Sequence, residues 1–179
     1  QDAKPSGMRM TDLNALVHDV DGMLRRLIGE NIELRTELSE KIPPVLVDPG
    51  QMEQVILNLV VNARDAIRGK GRITITTSSG EMTGGAAGPP APAIVLRVAD
   101  TGCGMNEEVR SHLFEPFFTT KAPGQGTGLG LSTVFGIVTQ SGGCIDVASE
   151  QGRGTVFSVL LPRATTLEFF RHEPAPATR

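Results

Sequence analysis

The chain has 179 residues, a net charge of −3 and a pI near 5.6, which allows one well-buried core and excludes a strongly basic surface. It contains seven Phe but no Trp or Tyr, so neither charge nor aromatic content favours nucleic acid as a partner. Its two cysteines form neither a metal framework nor a secreted disulfide scaffold. No apolar run reaches the ~20 residues of a membrane span, and no signal segment opens the sequence. We therefore expect one soluble, cytoplasmic domain, which can belong to a larger protein.

The first part of the chain predicts a helix followed by two strands. Apolar residues at helical spacing predict a leading helix over Thr11–Ile28, with Thr11 or Asp12 as its cap. Alternating apolar and polar side chains predict a half-buried strand over Ile32–Leu38. A short strand over Pro44–Asp48 then leads into a proline that a helix tolerates at its first position.

The segment Pro49–Ile67 predicts an amphipathic helix that carries two carboxamides. Its apolar residues recur at three- and four-residue steps, and Gln54–Asp65 contains no glycine or proline. At about 100° per residue, Asn58, Asn62 and Asp65 project in a narrow sector beside the apolar stripe. An isolated Asn is usually an ordinary surface amide, whereas a partly buried amide needs partners. This polar ridge is therefore a candidate binding surface.

After a glycine stop near Gly69–Gly71, the second half predicts four strands and two helices. They are strands over Arg72–Ser79 and Ile94–Ala99, helices over Glu107–Leu113 and Leu131–Gln140, and strands over Cys144–Ser149 and Gly154–Leu161. The small and polar residues of Gly80–Ala93 predict a flexible hairpin insertion with little core to offer. The last two strands are joined by the tight turn Glu150–Gly154, so they must be antiparallel. We predict an α+β fold, a two-layer sandwich in which helices cover one face of a mixed sheet.

The two ends of the chain show no periodic pattern. Residues 1–10 carry Gly, Pro and charge and are interpreted as a tag or linker. Residues 164–179 contain two prolines and are interpreted as a C-terminal linker or tail. The predicted division is therefore a leading helix within residues 11–30 and a folded domain over residues 31–163.

Three further motifs follow the amide helix. Asp100-Thr-Gly-Cys-Gly-Met105 ends a predicted strand and, alone, is compatible with an ordinary turn. The aromatic segment Phe114–Lys121 precedes the glycine-rich loop Gly124–Gly130, whose backbone N–H groups could bind phosphate at the start of a helix. This loop lies too late in the chain for a Rossmann site and lacks its glycine spacing, and the Gly-Lys-Ser/Thr of a Walker loop is absent.

In this order, the four motifs resemble the Bergerat-fold ATP sites of the GHKL superfamily, and within it the catalytic ATP-binding domain of bacterial sensor histidine kinases. The resemblance spans roughly Ile32–Pro162 and implies ATP and Mg²⁺ as ligands. It implies Asn62, with Asn58 beside it, as the Mg²⁺ ligands. The ATP contacts that it implies come from Asn58, Asn62, Asp65, Asp100, Gly102, Gly104, Met105, Thr120, Lys121, Gly124, Gln125, Gly126, Thr127, Gly128, Leu129, Gly130 and Thr155.

The resemblance also implies individual roles for these residues. Asp100 matches the aspartate that accepts a hydrogen bond from the adenine amino group. Gly102 and Gly104 match glycines that let the backbone pass close to the base, where a side chain would clash. Lys121 is placed to meet phosphate, and Thr155 helps to seat adenine through Asp100 or a water molecule.

Two departures from the family pattern concern the amide helix. Relatives often carry a basic residue where Asp65 stands, and a surface ion pair is the alternative for Asp65 and the favoured interpretation for Arg64. Gyrase, mismatch-repair and chaperone ATPases of the superfamily place a water-activating Glu four residues before the metal asparagine, whereas this chain has Asn58. Without that base, we expect the site to present ATP to another nucleophile.

The expected nucleophile is a histidine on a separate dimerisation and acceptor domain, upstream of residues 11–30. His18 is disfavoured as the acceptor because the residues after it, Asp19-Val-Asp-Gly-Met, depart from the family's acceptor motif. The resemblance further implies a response regulator or a fused receiver as partner, and we expect the isolated domain to be monomeric. Two alternatives stay open: a non-catalytic nucleotide-binding regulatory module, and a serine kinase of the anti-sigma type.

Overall fold

The computed structural model of the chain describes residues 7–83, 89–116, 118, 130–165, 167–168 and 171. Within them lie seven strands and four helices. In chain order they are β1 (Arg9–Thr11), α1 (Leu13–Ile28), β2 (Ile32–Leu38), β3 (Val45–Val47), α2 (Pro49–Ala66), β4 (Gly71–Thr83), β5 (Pro90–Asp100), α3 (Glu107–Ser111), α4 (Gly130–Gln140), β6 (Cys144–Glu150) and β7 (Gly154–Pro162).

Five strands form the main sheet, in the order β2-β4-β5-β7-β6. β2 and β4 are parallel, and every other neighbouring pair is antiparallel. The inward residues of the central strands alternate along the chain and pack with the buried faces of α1, α2 and α4 in one core. The predicted α+β sandwich with a mixed sheet covered on one face is confirmed. So is the antiparallel pairing of the last two strands, β6 and β7.

Helix α2 begins where its sequence predicts. The Asp48 carboxylate caps it by accepting hydrogen bonds from the Gly50 and Gln51 N–H groups, at 2.9 and 3.3 Å, and Pro49 occupies the first turn. The helix ends at Ala66, before the predicted glycine stop, because Ile67 is already extended at φ −94° and ψ 122°. The ridge predicted from the sequence therefore lies on a regular helix, with Asn58 and Asn62 half-buried beside its apolar face.

The linker interpretation of residues 1–10 is wrong for its last two residues. Arg9–Thr11 forms β1, which pairs antiparallel with β3. The following helix, α1, contributes six buried apolar residues to the core. A strand of three residues is too short for a recognisable period, so only its pairing with β3 identifies it. The leading helix is consequently part of the folded layer.

The prediction of a flexible insertion over Gly80–Ala93 is also wrong at both of its ends. β4 and β5 continue their antiparallel ladder from Gly80↔Ala93 as far as Thr83↔Pro90, and Ala93 is buried. Residues with low strand propensity are thus held in the ladder by the register of the strands on either side. The middle of the predicted insertion, residues 84–88, lies outside the described residues.

Strand β2 has its predicted bounds, and the remaining elements differ from prediction by one or two residues at an end. α3 stops at Ser111 rather than Leu113, and its first turn is capped by the Asn106 side chain, which accepts from Val109 N–H at 2.9 Å. α4 is followed by Gly142 at φ 79°, a conformation that suits a helix C-terminus. Among the described helices, none is both long and apolar enough to cross a membrane.

Candidate functional site

The two amides of α2 have different surroundings. The Asn58 side-chain oxygen accepts a hydrogen bond from Gln54 Nε2 at 2.7 Å, and its Nδ2 donates to the Gly130 carbonyl at 3.1 Å. Asn58 therefore connects α2 to the first residue of α4. Asn62 lies one turn further along α2 and makes no side-chain hydrogen bond within the described part of the chain. Its half-buried amide is thus left with both polar atoms available to a ligand.

Arg64 and Asp65 form the ion pair that was the alternative to a phosphate role. Arg64 Nε and Nη2 donate to Asp65 Oδ1 at 3.2 and 3.1 Å, and Arg64 Nη1 donates to the Leu27 carbonyl at 3.1 Å. Arg64 consequently joins the C-terminal ends of α1 and α2. The phosphate contact of Asp65 stays a prediction.

Asp100 is a buried carboxylate at the end of β5. Its Oδ1 accepts a hydrogen bond from the Gly102 N–H at 2.8 Å, and Asp100 is only 7% exposed. Burial raises the pKa of the Asp100 carboxyl above its ordinary value of 3.8, although hydrogen bonds from the backbone N–H groups of Gly102 and Thr155 oppose that rise. The side chain is therefore a fixed acceptor in a site largely removed from water.

Both glycines after Asp100 are required by contacts inside the protein. A Cβ at Gly102 would lie 2.5 Å from the Ala66 carbonyl oxygen, and the Cys103 N–H donates to that same oxygen at 2.9 Å. Gly104 has φ 67°, and a Cβ there would overlap the Glu150 carbonyl oxygen. Close approach to a base was the role expected for these glycines. Packing on α2 and β6 gives a separate reason for each of them.

Strand β6 and the turn that follows it hold the Asp100–Met105 loop from the other side. The Gly152 N–H donates to the Cys103 carbonyl at 2.6 Å, and the Met105 N–H donates to Ser149 Oγ at 2.8 Å. Ser149 also contacts Thr155 Oγ1 at 2.8 Å. Sequence reasoning identified Thr155 and Met105 but missed Ser149, because a serine near a predicted turn has no pattern that distinguishes it.

Eight of the predicted ATP contacts fall outside the described residues. They are Thr120, Lys121, Gly124, Gln125, Gly126, Thr127, Gly128 and Leu129. Gly130, the last predicted contact of the glycine loop, is the exposed first residue of α4. Of the preceding aromatic segment, Phe114 stacks on Phe135 of α4, with ring centroids 5.3 Å apart.

The two amides of α2 are the candidate oxygen ligands for a divalent cation. Among the described residues, no group of three or more His, Cys, Asp or Glu side chains is placed to hold a metal. Among the residues that the structure describes, none bonds to the Asn62 side-chain oxygen, whereas that of Asn58 already accepts from Gln54. A single amide oxygen fits Mg²⁺, which keeps several waters and takes phosphate oxygens rather than a full protein cage.

The sequence matches the family described as histidine kinase-, DNA gyrase B-, and HSP90-like ATPase over residues 47–165. It is 44% identical over 181 residues to the sensor kinase CckA of Brucella abortus (strain 2308), and this match covers 98% of the chain and 19% of CckA. The chain therefore spans less than a fifth of that relative's length.

Two solved structures are similar over most of the chain. Full-length ShkA in complex with AMPPNP has a TM-score of 0.72 and 29% sequence identity, covering 89% of this chain and 32% of ShkA. The catalytic domain of the histidine kinase ThkA has a TM-score of 0.67 and 31% identity, covering 87% of this chain and 95% of that domain. The fold described above is thus that of a histidine kinase catalytic domain.

Proposed function

The chain belongs to the family of histidine kinase-, DNA gyrase B- and HSP90-like ATPases, and we propose that it is the ATP-binding catalytic domain of a two-component sensor histidine kinase. In this proposal it holds Mg-ATP and presents the γ-phosphate to a histidine on a separate acceptor domain. The similarity to CckA and to the ThkA catalytic domain supports this member of the family over the others.

The observation that carries the proposal is the amide at position 58. Its oxygen accepts from Gln54 and its nitrogen donates to Gly130, so a neutral hydrogen-bonding group stands where the hydrolytic members have a glutamate. An amide cannot take a proton from water at neutral pH. The site therefore lacks the base for hydrolysis at this position and is suited to donating phosphate to another nucleophile.

The chain's own residues would act by binding and orientation. Asp100 accepts a hydrogen bond from the base, with Thr155 beside it, and Asn62 supplies an oxygen for Mg²⁺, with Asn58 next to it. When bound, Mg²⁺ neutralises charge on the phosphates, which is most of what phosphoryl transfer requires of its surroundings. Binding and orientation are therefore sufficient contributions from this domain.

The acceptor histidine and the downstream partner are proposed to lie outside this chain. We infer a dimerisation and acceptor domain before residue 11, and a response regulator or fused receiver as the next phosphate acceptor. His18, exposed on α1, is not the proposed acceptor. The domain is proposed to work on the cytoplasmic side, whether or not its parent is anchored in a membrane.

Phosphotransfer to an added acceptor domain tests the proposal. With γ-labelled ATP and Mg²⁺, the chain should label a histidine of its parent's acceptor domain, and Asn62→Ala should abolish that label. Gln51→Ala is the matched control, because Gln51 lies exposed on the same helix. Acid-stable rather than acid-labile phosphate would favour a serine kinase, and calorimetry without nucleotide binding would favour a non-catalytic module.

A further inference from the structure

We propose that Ser149 is a specificity-determining residue, which holds the Thr155 hydroxyl as a hydrogen-bond acceptor and thereby favours a base with an amino group over one with a carbonyl group. This inference rests on the proposed nucleotide site. It concerns a side chain on β6 that the resemblance to the kinases did not single out.

One arrangement of protons satisfies every contact of the Ser149 hydroxyl. Ser149 Oγ lies 2.8 Å from the Met105 N–H nitrogen, 3.1 Å from the Gly154 carbonyl oxygen and 2.8 Å from Thr155 Oγ1. A serine hydroxyl has one proton and two lone pairs. The Gly154 carbonyl can only accept, whereas Thr155 Oγ1 can donate or accept, so all three contacts are hydrogen bonds at once only if Ser149 donates to Gly154 and Thr155 donates to Ser149.

The Thr155 oxygen is therefore left with lone pairs and without a proton for a ligand. Thr155 pairs with Asp100 in the register of β5 and β7, and both residues are buried, at 4% and 7% exposure. Asp100 is itself an acceptor, fixed by the Gly102 N–H. Two neighbouring buried groups thus offer acceptors, either directly or through one ordered water.

This arrangement distinguishes adenine from hypoxanthine by which partner must donate the hydrogen bond. Adenine presents an amino donor where hypoxanthine presents a carbonyl acceptor. A buried acceptor that meets another acceptor stays unpaired, which is costly in a site removed from water. Sites built around such hydrogen bonds discriminate more strongly than purely apolar pockets.

Ser149 also supports the Asp100–Met105 loop, so its removal has a second, unspecific effect. Loss of the bond to Met105 N–H should lower the affinity for every nucleotide to a similar degree, because the loop is proposed to contact every base. Release of the Thr155 hydroxyl should instead help only the carbonyl base, since the hydroxyl can then rotate and donate. The ratio of the two affinities separates the specificity effect from the structural one.

The test compares ATP with ITP by calorimetry on the full chain, as wild type, Ser149→Ala and Ser149→Thr. Ser149→Ala should lower the ratio of Kd for ITP to Kd for ATP by about tenfold, the effect of one hydrogen bond. Ser149→Thr keeps the hydroxyl and should restore the ratio. Ser158→Ala, a half-buried serine on β7 without a side-chain hydrogen bond among the described residues, should leave it unchanged.

Each outcome bears on a different claim. An unchanged ratio in Ser149→Ala, with both affinities reduced alike, would overturn the proposal. If wild type bound neither ATP nor ITP, that result would overturn the proposed function instead. If Ser149→Ala does not fold, Ser149→Cys carries the same test, because its thiol is a much weaker donor and acceptor. Without nucleotide, Ser149→Ala should also speed hydrogen exchange at the Met105 N–H.

Discussion

The loop Asp100–Met105 and the amide pair Asn58 and Asn62 are both proposed to contact the nucleotide, but the protein holds them differently. The loop is fixed by backbone hydrogen bonds to Ala66 and Gly152 and by glycines without room for a side chain. The amide pair stands on a half-exposed helix face, where, within the described part of the chain, Asn58 but not Asn62 makes side-chain hydrogen bonds.

This difference separates recognition of the base from coordination of the phosphates. A loop fixed by buried backbone contacts keeps its shape with or without ligand, so the base meets preformed acceptors. Side-chain bonds at the surface are weak, about 1 kcal/mol each, and can exchange for ligand contacts at little cost. Substitutions in the loop should therefore affect folding and binding together, whereas those in the amide pair should change the free energy of unfolding by at most about 1 kcal/mol.

The largest effect is expected for Gly104→Ala. Its φ of 67° and the overlap of a Cβ with the Glu150 carbonyl should destabilise the fold by about 3 kcal/mol and displace the loop. Gly152→Ala is the matched control, because Gly152 also has a positive φ, 85°, but has open space around its Cβ position. It should cost only about 1 kcal/mol. Equal losses in urea unfolding of the two variants would show that packing on β6 is unimportant.

The next effect is expected for Asn62→Ala. Removing the proposed Mg²⁺ ligand should weaken Mg-ADP binding roughly 10- to 100-fold, or about 1.4 to 2.7 kcal/mol, while the free energy of unfolding changes by less than about 0.5 kcal/mol. Calorimetry with Mg²⁺ and with a chelator measures the two affinities. If Asn62→Ala weakened ADP binding equally with Mg²⁺ and with the chelator, Asn62 would not be a Mg²⁺ ligand.

The pH dependence of stability should have opposite signs for Asp100 and Glu33. Burial raises the pKa of Asp100, so as the pH falls the folded protein binds a proton at this carboxylate before the unfolded chain does. Wild type should therefore gain stability relative to Asp100→Asn as the pH falls through the raised pKa toward 3.8. Hydrogen bonds from Arg72 and then Arg35 lower the pKa of Glu33 from 4.5. Above pH 4.5, wild type should therefore be more stable than Glu33→Gln, and it should lose this extra stability as the pH falls through the lowered pKa of Glu33.

Urea unfolding of the three proteins between pH 7 and the acid limit of folding measures both trends. The Glu33 effect should be the smaller one and should fade with salt, because that side chain is half-exposed. If stability changed with pH in the same direction at both sites, burial would not control the pKa of Asp100.

The smallest effect is expected for Asn58→Ala. Losing the bonds to Gln54 and Gly130 should reduce the free energy of unfolding by at most about 1 kcal/mol, because both are at the surface. The specific consequence is faster hydrogen exchange in the first turn of α4. Gln51→Ala is the control on the same helix, because the Gln51 side chain makes no hydrogen bond among the described residues. Unchanged exchange there would show that Asn58 does not hold the start of α4.

The sequence by itself determined the elements whose own residues carry a periodic pattern. The bounds of β2, the capped start of α2 and the antiparallel hairpin of β6 and β7 follow from side chains within each segment. The same pattern placed Asn58 and Asn62 on one ridge, and the end of a strand placed Asp100. The order of the motifs was sufficient to indicate the family.

Tertiary structure alone decided which distant residues meet. β1 exists because it pairs with β3, and β4 and β5 extend because each supplies the other's hydrogen bonds. The bond from Asn58 to Gly130 joins residues 72 apart in sequence, and that from Met105 to Ser149 joins residues 44 apart. A periodic pattern reports which face of an element is buried but not what covers it. The position of Ser149 between the base loop and Thr155 therefore follows only from the folded sheet.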